Sequence, residues 1–580
     1  MSNLLNRRQI LKGAGAVGGL AATGIVSSVA AGAPAKADVP IKSPEELSVA
    51  EKLMDVHYTP AERAQIFDTL EEAVDRIRLR RAHVKLTEHD VPALIFDPRL
   101  PGRTYAAQEN KVTLAGGKPG ALPKRDEDIA FAPLTALSHW VHTGQITSAR
   151  LTEIYLKRID RYAGELECFV TLTADLARAQ AKQADAELKA SHDRGPLHGI
   201  PYVLKDLFDT KDILTTWGAA PYRDRVPKDD AAVTSRLREA GAVLLGKSTM
   251  GALAWGDKWF GGVTRNPWNR DEGSSGSSAG SAAATAAGLC GFSIGTETYG
   301  SIVSPSSRCG VTGLKPSFGR VPRTGAMPLC WSLDKVGTLC RGVEDTPLVI
   351  AALNGPDGKD PYAIDMGFAY DGPAMKDADI TLGYDPAWFE AEATDADRAA
   401  LKTLKGLGFR FKKISLPDLP YKTLLTNLEV EAAAAFEELT LSDRDDLLVS
   451  QQTNAWPTLF RAARFHSAVE SLQLDRFRRQ VMVMMADIYK DVDVIVCPNW
   501  NDDILVISNY TGYPSLTLPT AMEKRETKLL TGTKADGPRP IRSVPHAITL
   551  WGNLFREDQL LAVGRKLEAA AGFAKNRPAL

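Results

Sequence analysis

Residues that hold metals or form disulfides are scarce in this 580-residue chain: it has six cysteines and nine histidines. The cysteines stand far apart, without a C-x-x-C pair and without a second ligand at metal-binding spacing. That spacing excludes a zinc module and a disulfide scaffold, so Cys168, Cys290, Cys309, Cys330, Cys340 and Cys497 are expected to pack in the core. Cys330 and Cys340 are the pair best placed to join if the mature chain meets an oxidising compartment. A charge excess is missing too, since 70 basic residues face 71 acidic ones. Such a balance leaves no electrostatic footprint for nucleic acid or an anionic membrane. There is no internal repeat, and the single low-complexity piece covers residues 273–281. What is present is the composition of a large soluble globular protein, 44% hydrophobic and 24% charged.

The first 37 residues carry four bases (Arg7, Arg8, Lys12, Lys36) and no acid. Asn6-Arg7-Arg8-Gln9-Ile10-Leu11-Lys12 resembles a twin-arginine export signal, followed by a weakly hydrophobic Gly/Ala-rich stretch and a small-residue site ending at Ala37. The stretch is too poor in Leu, Ile and Phe to span a bilayer. Residues 1–37 are therefore read as a cleaved signal, with a mature chain starting at Asp38 in the periplasm or outside the cell.

Residues 38–125 are read as a helical N-terminal region and linker. Ser43-Pro44-Glu45-Glu46 and Thr59-Pro60-Ala61-Glu62 each place a hydroxyl before Pro and an acid in the first turn. Residues 91–125 are Pro- and Gly-rich and look like a linker. From residue 126 to 575 helices alternate with short apolar strands. Thr147-Ser148 opens a helix whose Leu151, Ile154, Tyr155 and Ile159 share one face. A helix over 231–240 precedes an apolar strand over 242–245, and 492–496 is another buried strand.

Two motif matches conflict with this pattern. Residues 241–248, ending in Lys247-Ser248, fit the Walker A expression, but the segment between the glycines is itself the strand, so no phosphate-cradling turn can form. Gly276-Ser277-Ser278-Ala279-Gly280 fits the G-x-S-x-G nucleophile elbow. An elbow must follow a strand, and residues 266–272 are polar and turn-like. With His466 or His546 as base it remains a minority reading, a histidine-dependent α/β-hydrolase.

The Gly/Ser run is followed by a small-residue helix over 282–289 and a second special loop, Gly295-Thr-Glu-Thr-Tyr-Gly-Ser301. Together with Gly199-Ile-Pro-Tyr-Val-Leu-Lys205-Asp206, Gly310-Val-Thr-Gly-Leu-Lys-Pro316, Asn509-Tyr-Thr-Gly-Tyr-Pro514 and Gly552-Asn-Leu-Phe-Arg-Glu-Asp-Gln-Leu-Leu561, these segments resemble the amidase signature family over residues 128–568. The resemblance implies an α/β fold: a large mixed β-sheet core with helices on both faces, preceded by the small helical N-terminal region. It implies hydrolysis of a linear or aryl carboxamide through an acyl-enzyme, without metal or cofactor. The catalytic residues it implies are Ser301 as nucleophile, Ser277 behind a cis peptide bond as proton relay, and Lys205 as base. The separations of 72 and 24 residues resemble those of the family and select Ser277 over Ser274 and Ser275.

A base lysine must be neutral, and burial among Val203, Leu204 and Leu207 would lower its pKa from about 10.4. The oxyanion hole is assigned to the backbone N–H groups of Thr298, Tyr299, Gly300 and Ser301. Tyr299 stands where the family commonly has Gly or Asp. A side chain there resists positive φ and brings a ring to the pocket mouth. Val303 stands where many relatives carry Arg, which argues against a carboxylate bound at that position. Trp217, Trp255, Trp259 and Trp331 are candidates for an apolar acyl or aryl pocket, or for the core.

The expected partner is a small-molecule amide; nucleic acid and stable membrane insertion are not expected, and a homodimer is left open. Rival readings are the A subunit of a glutamyl-tRNA amidotransferase, the histidine-dependent hydrolase, and a non-catalytic binding module on the same fold.

Overall fold

The computed structural model describes residues 43–54, 56–83, 96–105, 107–390, 392–499, 501–530 and 538–580. The proposed signal over residues 1–37 and its cleavage site lie outside them. Residues 43–580 make one compact unit.

Its frame is an 11-stranded sheet. In chain order the strands are β1 (Phe169–Leu172), β2 (Pro201–Lys205), β3 (Val243–Ser248), β4 (Phe292–Glu297), β5 (Thr312–Lys315), β6 (Lys335–Cys340), β7 (Thr381–Tyr384), β8 (Arg410–Lys413), β9 (Val494–Pro498), β10 (Ser515–Glu526) and β11 (Ile541–Gly552). They lie side by side in the order β8-β7-β9-β11-β10-β5-β6-β4-β2-β3-β1. Pairing is parallel for β8/β7, β7/β9, β4/β2 and β2/β3 and antiparallel elsewhere, a mixed sheet as expected.

Both faces are covered. Successive residues of a strand point to opposite sides: Val494 and Val496 of β9 enter one apolar core, Ile495 and Cys497 the other. That double burial is why the strands read as continuous apolar runs rather than alternating ones. The Walker-like segment is β3, as its apolar run requires, and Lys247 lies buried within it.

At the N-terminus α1 (Leu47–Met54) and α2 (Pro60–His83) form as the caps indicate. Thr59 and Glu62 close a reciprocal capping box at the start of α2, whereas Ser43 makes no side-chain cap bond and its segment opens as a 3-10 turn. The helix α3 (Ser148–Leu166) is capped by Thr147, whose hydroxyl accepts from Arg150 N–H, and Leu151, Ile154, Tyr155 and Ile159 are all buried. The helix expected over 231–240 is α4 (Ala232–Glu239).

The linker reading of residues 91–125 needs correction for its described part. Lys111–Thr113 pairs in parallel with Ala369–Asp371, Phe96 and Leu100 are buried with Phe318 and Met482, and the Trp140 indole donates to Gly120 O at 2.8 Å. Proline and glycine here shape a strap bound to the domain, because its apolar residues and backbone groups find partners there. The α2 helix is docked too: Ile66 and Leu70 are buried, Arg76 pairs with Glu429 at 2.7 Å, and Glu62 with Arg461 at 3.0 Å.

Candidate active site

Four elements converge on one spot. The strand β2, buried along its whole length between β3 and β4, ends at Lys205. The Gly/Ser loop over 273–278 leads into α5 (Ala279–Ala286), every residue of which is buried. Strand β4 runs out at Glu297 into the loop 298–302, and α6 (Val303–Cys309) follows.

Glycine is required at two points. A Cβ at Gly276 would run into the Gly256 carbonyl, so only glycine lets the loop pass. Gly300 takes φ +84°, the positive value that a side chain resists, immediately before Ser301. Tyr299 is not a positive-φ residue, so the conflict expected there does not arise. The peptide bond between Gly276 and Ser277 is cis.

Lys205 Nζ donates to Ser277 Oγ at 2.9 Å, Thr296 Oγ1 at 2.8 Å and Ser278 Oγ at 3.2 Å, and reaches Thr296 O at 3.5 Å. Lys205 is wholly buried, and no carboxylate lies within 4.0 Å of it among the described residues. Burial without a counter-charge pushes its pKa down to about 7, against a weaker upward pull from Asp334 and Glu297. At neutral pH a large fraction of the amine is thus unprotonated, and the same contact can carry a proton from Ser277 to Nζ.

Ser301 and Ser277 are 7% and 1% exposed. Ser278 N–H donates to Ser301 O at 3.2 Å, tying the Gly/Ser loop to the second loop. Ser304 N–H donates to Gly300 O at 2.8 Å. The buried Glu297 carboxylate accepts the N–H groups of Ile302 at 2.7 Å and Val303 at 2.9 Å, and the Asn509 amide at 3.0 Å. It therefore clamps the backbone after Ser301 and occupies the first amides of α6.

A cavity of about 430 Å³ meets the site through Thr296 and Thr298. Leu207, Met327, Leu329, Trp331 and Tyr362 give it apolar and aromatic walls, while Ser277 and Ser301 are not among its lining residues. Of the four candidate tryptophans only Trp331 lines it. Trp217 packs on Tyr222 with ring centroids 4.5 Å apart, and Trp259 on Phe260 at 5.0 Å. Tyr299 is half-buried against the core and does not line this cavity.

The elbow reading loses its geometry. Residues 266–272, expected to be turn-like, fall within a two-stranded ribbon, Arg265–Asn266 with Asn269–Gly273, held by the Asn266 amide donating to buried Glu272 at 2.9 Å. This ribbon is separate from the main sheet, so it cannot aim a nucleophile off a central strand. The histidines are engaged elsewhere, His546 with Asp397 at 2.9 Å and Glu523 at 3.2 Å, and His466 with Glu429 at 3.7 Å. All six cysteines are buried and free, so Cys330 and Cys340 are not joined. No cluster of three or more potential metal ligands occurs among the described residues, and no described helix is long and apolar enough to cross a membrane.

Sequence reasoning missed the contacts of Thr296 and Ser278 with Lys205, and gave no role to Glu297, Asp334 and Lys335. Charged residues ending apolar strands, as in Phe-Ser-Ile-Gly-Thr-Glu297 and Asp334-Lys335-Val-Gly-Thr-Leu, are the signal that could have found the last three.

A mixed 11-stranded sheet thus buries Lys205 against a Gly/Ser loop, and the family match makes the chain an amidase-type hydrolase acting on carbon–nitrogen bonds. The chain belongs to the amidase signature family: the family model described as Amidase matches residues 150–561. The A subunit of the glutamyl-tRNA(Gln) amidotransferase of Hahella chejuensis is 33% identical over 477 residues, which cover 75% of this chain and 96% of that one. The native peptide amidase of Stenotrophomonas maltophilia superposes with a TM-score of 0.63 at 27% identity, covering 77% of this chain and 98% of its own. A chain from a vestigial protein complex that bears on the evolutionary origins of an s-triazine catabolic enzyme superposes with a TM-score of 0.67 at 25% identity, covering 77% and 100%.

Proposed function

We propose that the protein hydrolyses a small-molecule linear or aryl carboxamide through an acyl-enzyme on Ser301. The observation that carries this reading is the Lys205 amine, wholly buried, without a counter-ion and 2.9 Å from Ser277 Oγ. A serine hydroxyl is a weak nucleophile until a base takes its proton. Neutral Lys205 takes the Ser277 proton as Ser277 takes that of Ser301, and the Ser301 oxygen bonds to the amide carbon. The backbone N–H groups of Thr298, Tyr299, Gly300 and Ser301 stabilise the tetrahedral oxyanion. The relay then returns the proton to the leaving nitrogen as the C–N bond breaks. Water, deprotonated along the same path, releases the acid.

A fluorophosphonate probe tests the assignment directly. Mass spectrometry should place the label on Ser301, and Ser301→Ala should abolish both label and amide turnover; a label on Ser278 would overturn the assignment. A second reading, the A subunit of a glutamyl-tRNA amidotransferase, is favoured by the 33% identity to such a protein. Copurification with partner subunits and loss of free amidase activity would establish it instead.

The N-terminal motif supports export by the twin-arginine route. Replacing Arg7 and Arg8 with Lys should hold an uncleaved precursor in the cytoplasm, and unchanged export of that variant would refute the reading.

A further inference from the structure

Four lysines are buried in or beside this site, and their surroundings differ. Lys247 pairs with Asp206 at 3.6 Å, and Lys315 has Glu297 at 3.9 Å with Ser508 Oγ at 3.1 Å. Lys205 has its three hydroxyls. Lys335, the first residue of β6 and register partner of Glu297, makes two long hydrogen bonds among the described residues, to Thr298 O and Asn509 O at 3.5 Å each. It is 3% exposed, has no carboxylate within 4.0 Å among the described residues, and lines the cavity.

The buried charges around that cavity other than Lys335 are already engaged. Arg323 is paired with Asp360 at 3.1 Å and stacks over Tyr362. Asp334 accepts the Thr298 hydroxyl at 2.6 Å and the N–H groups of Leu329 and Cys330 at 2.8 and 3.0 Å. Glu297 holds Ile302, Val303 and Asn509. Lys359, exposed at the rim, adds a second positive group. Lys335 has no carboxylate in ion-pair contact, and burial, reinforced by Lys315, pushes its pKa well down; Glu297, Asp334 and Cys330 pull the other way. An anion entering the cavity would favour the protonated amine and hydrogen-bond to it, which makes Lys335 a docking point for one.

We propose that Lys335 is a specificity-determining residue: it binds a carboxylate at the far end of the substrate's acyl part, so that the favoured substrates are monoamides of dicarboxylic acids. The apolar walls take the methylene or aryl body between the two carbonyl carbons. This inference rests on the amidase reading, with Ser301 at the near end of the same acyl group.

Anilides of straight-chain dicarboxylic acids, malonic to adipic, each with one free carboxylate, test it. They are compared with alkanoyl anilides of equal length and with the terminal carboxamides. At one chain length the acid should exceed the alkanoyl anilide in kcat/KM by about ten-fold or more, the worth of a hydrogen bond to a charged group. Lys335→Met should bring that ratio close to one, chiefly through KM, and Lys335→Arg should restore part of it. Three results overturn the proposal: no preference for the acid at any length, a terminal carboxamide that does as well as the acid, or a Lys335→Met variant that loses both substrates alike.

A second measurement does not depend on the amide chosen. Glutarate or adipate should slow fluorophosphonate labelling of Ser301 in the wild-type protein and not in Lys335→Met, and absence of protection at millimolar dicarboxylate also overturns the proposal. If Ser301 labels normally and no acid is preferred, this inference falls and the amidase reading stands. If Ser301 does not label, both fall.

Discussion

Lys205 and Lys247 sit on neighbouring parallel strands, one register step apart, and both are wholly buried. The chain gives them opposite company. Lys247 donates to Phe208 O and Thr215 Oγ1 at 2.7 Å and faces Asp206 at 3.6 Å. Lys205 meets three hydroxyl oxygens and no acid within 4.0 Å among the described residues. Burial lowers the pKa of both, Lys247 to about 8 and Lys205 to about 7. A nearby carboxylate turns a buried lysine into a strut, since removing either partner strands the other. Hydroxyls alone leave an amine whose proton is loosely held and can be exchanged.

That contrast can be broken from either side. The largest effect is expected for Lys205→Ala, about 10²- to 10⁴-fold in kcat with the fold retained. Combining it with Ser277→Ala should cost little more than the poorer single variant, because members of one proton relay are strongly non-additive. Near-normal turnover by Lys205→Ala would remove the base assignment. In the wild type, kcat/KM should rise with pH through about 7, where Lys205 loses its proton, and the limb should be absent from Lys205→Ala. A profile flat from pH 6 to 9 would contradict the depressed pKa.

Lys247→Met should act on stability instead. It strands buried Asp206, at a cost of about 3–5 kcal/mol in denaturant unfolding, while the activity per folded molecule stays within a few-fold. A rate loss as large as that of Lys205→Ala would abolish the distinction between the two lysines.

The matching change, Lys205→Met, should stabilise the protein at pH 6, because it removes a buried amine without a counter-ion. The sign follows from a folded pKa of about 7 lying below the ordinary lysine value. Between pH 7 and about 10.4 the unfolded chain binds the extra proton, so raising the pH favours folding of the wild type. The Tm advantage of Lys205→Met should therefore shrink over that range, and an advantage that grows with pH would reverse the argument.

The smallest effect is expected for Thr296→Val, which deletes the acceptor 2.8 Å from Lys205 Nζ. The ammonium loses more than the neutral amine, so the rate limb should move to lower pH with a few-fold change in kcat. A shift to higher pH would show that Thr296 holds the neutral form.

Much of this was legible in the chain. The capped starts of α2 and α3 and the strand hidden in the Walker-like segment follow from local spacing and side-chain type, whereas Lys205, Ser277 and Ser301 are nominated by the family resemblance, and the structure brings Lys205 and Ser277 together at 2.9 Å. The segment 96–125 misled because proline and glycine content says where a chain turns and nothing about what it docks on. Residues 266–272 misled because a polar ribbon can be held by a buried acid, Glu272, whose partners Arg308 and Arg525 come from elsewhere in the chain.

The sequence by itself determined the family and the order of its motifs, since short runs of small and polar residues are recognisable without their tertiary surroundings, and through that resemblance it nominates Lys205, Ser277 and Ser301. Only the tertiary structure decided which buried lysine acquires an acid and which does not. Burial and pairing depend on residues distant in sequence: Thr296 comes to Lys205, Asp206 to Lys247, and Thr298 and Asn509 to Lys335. A pKa is a property of that assembled environment, and the same side chain in the same kind of strand gains or lacks an ion-pair partner according to what arrives beside it.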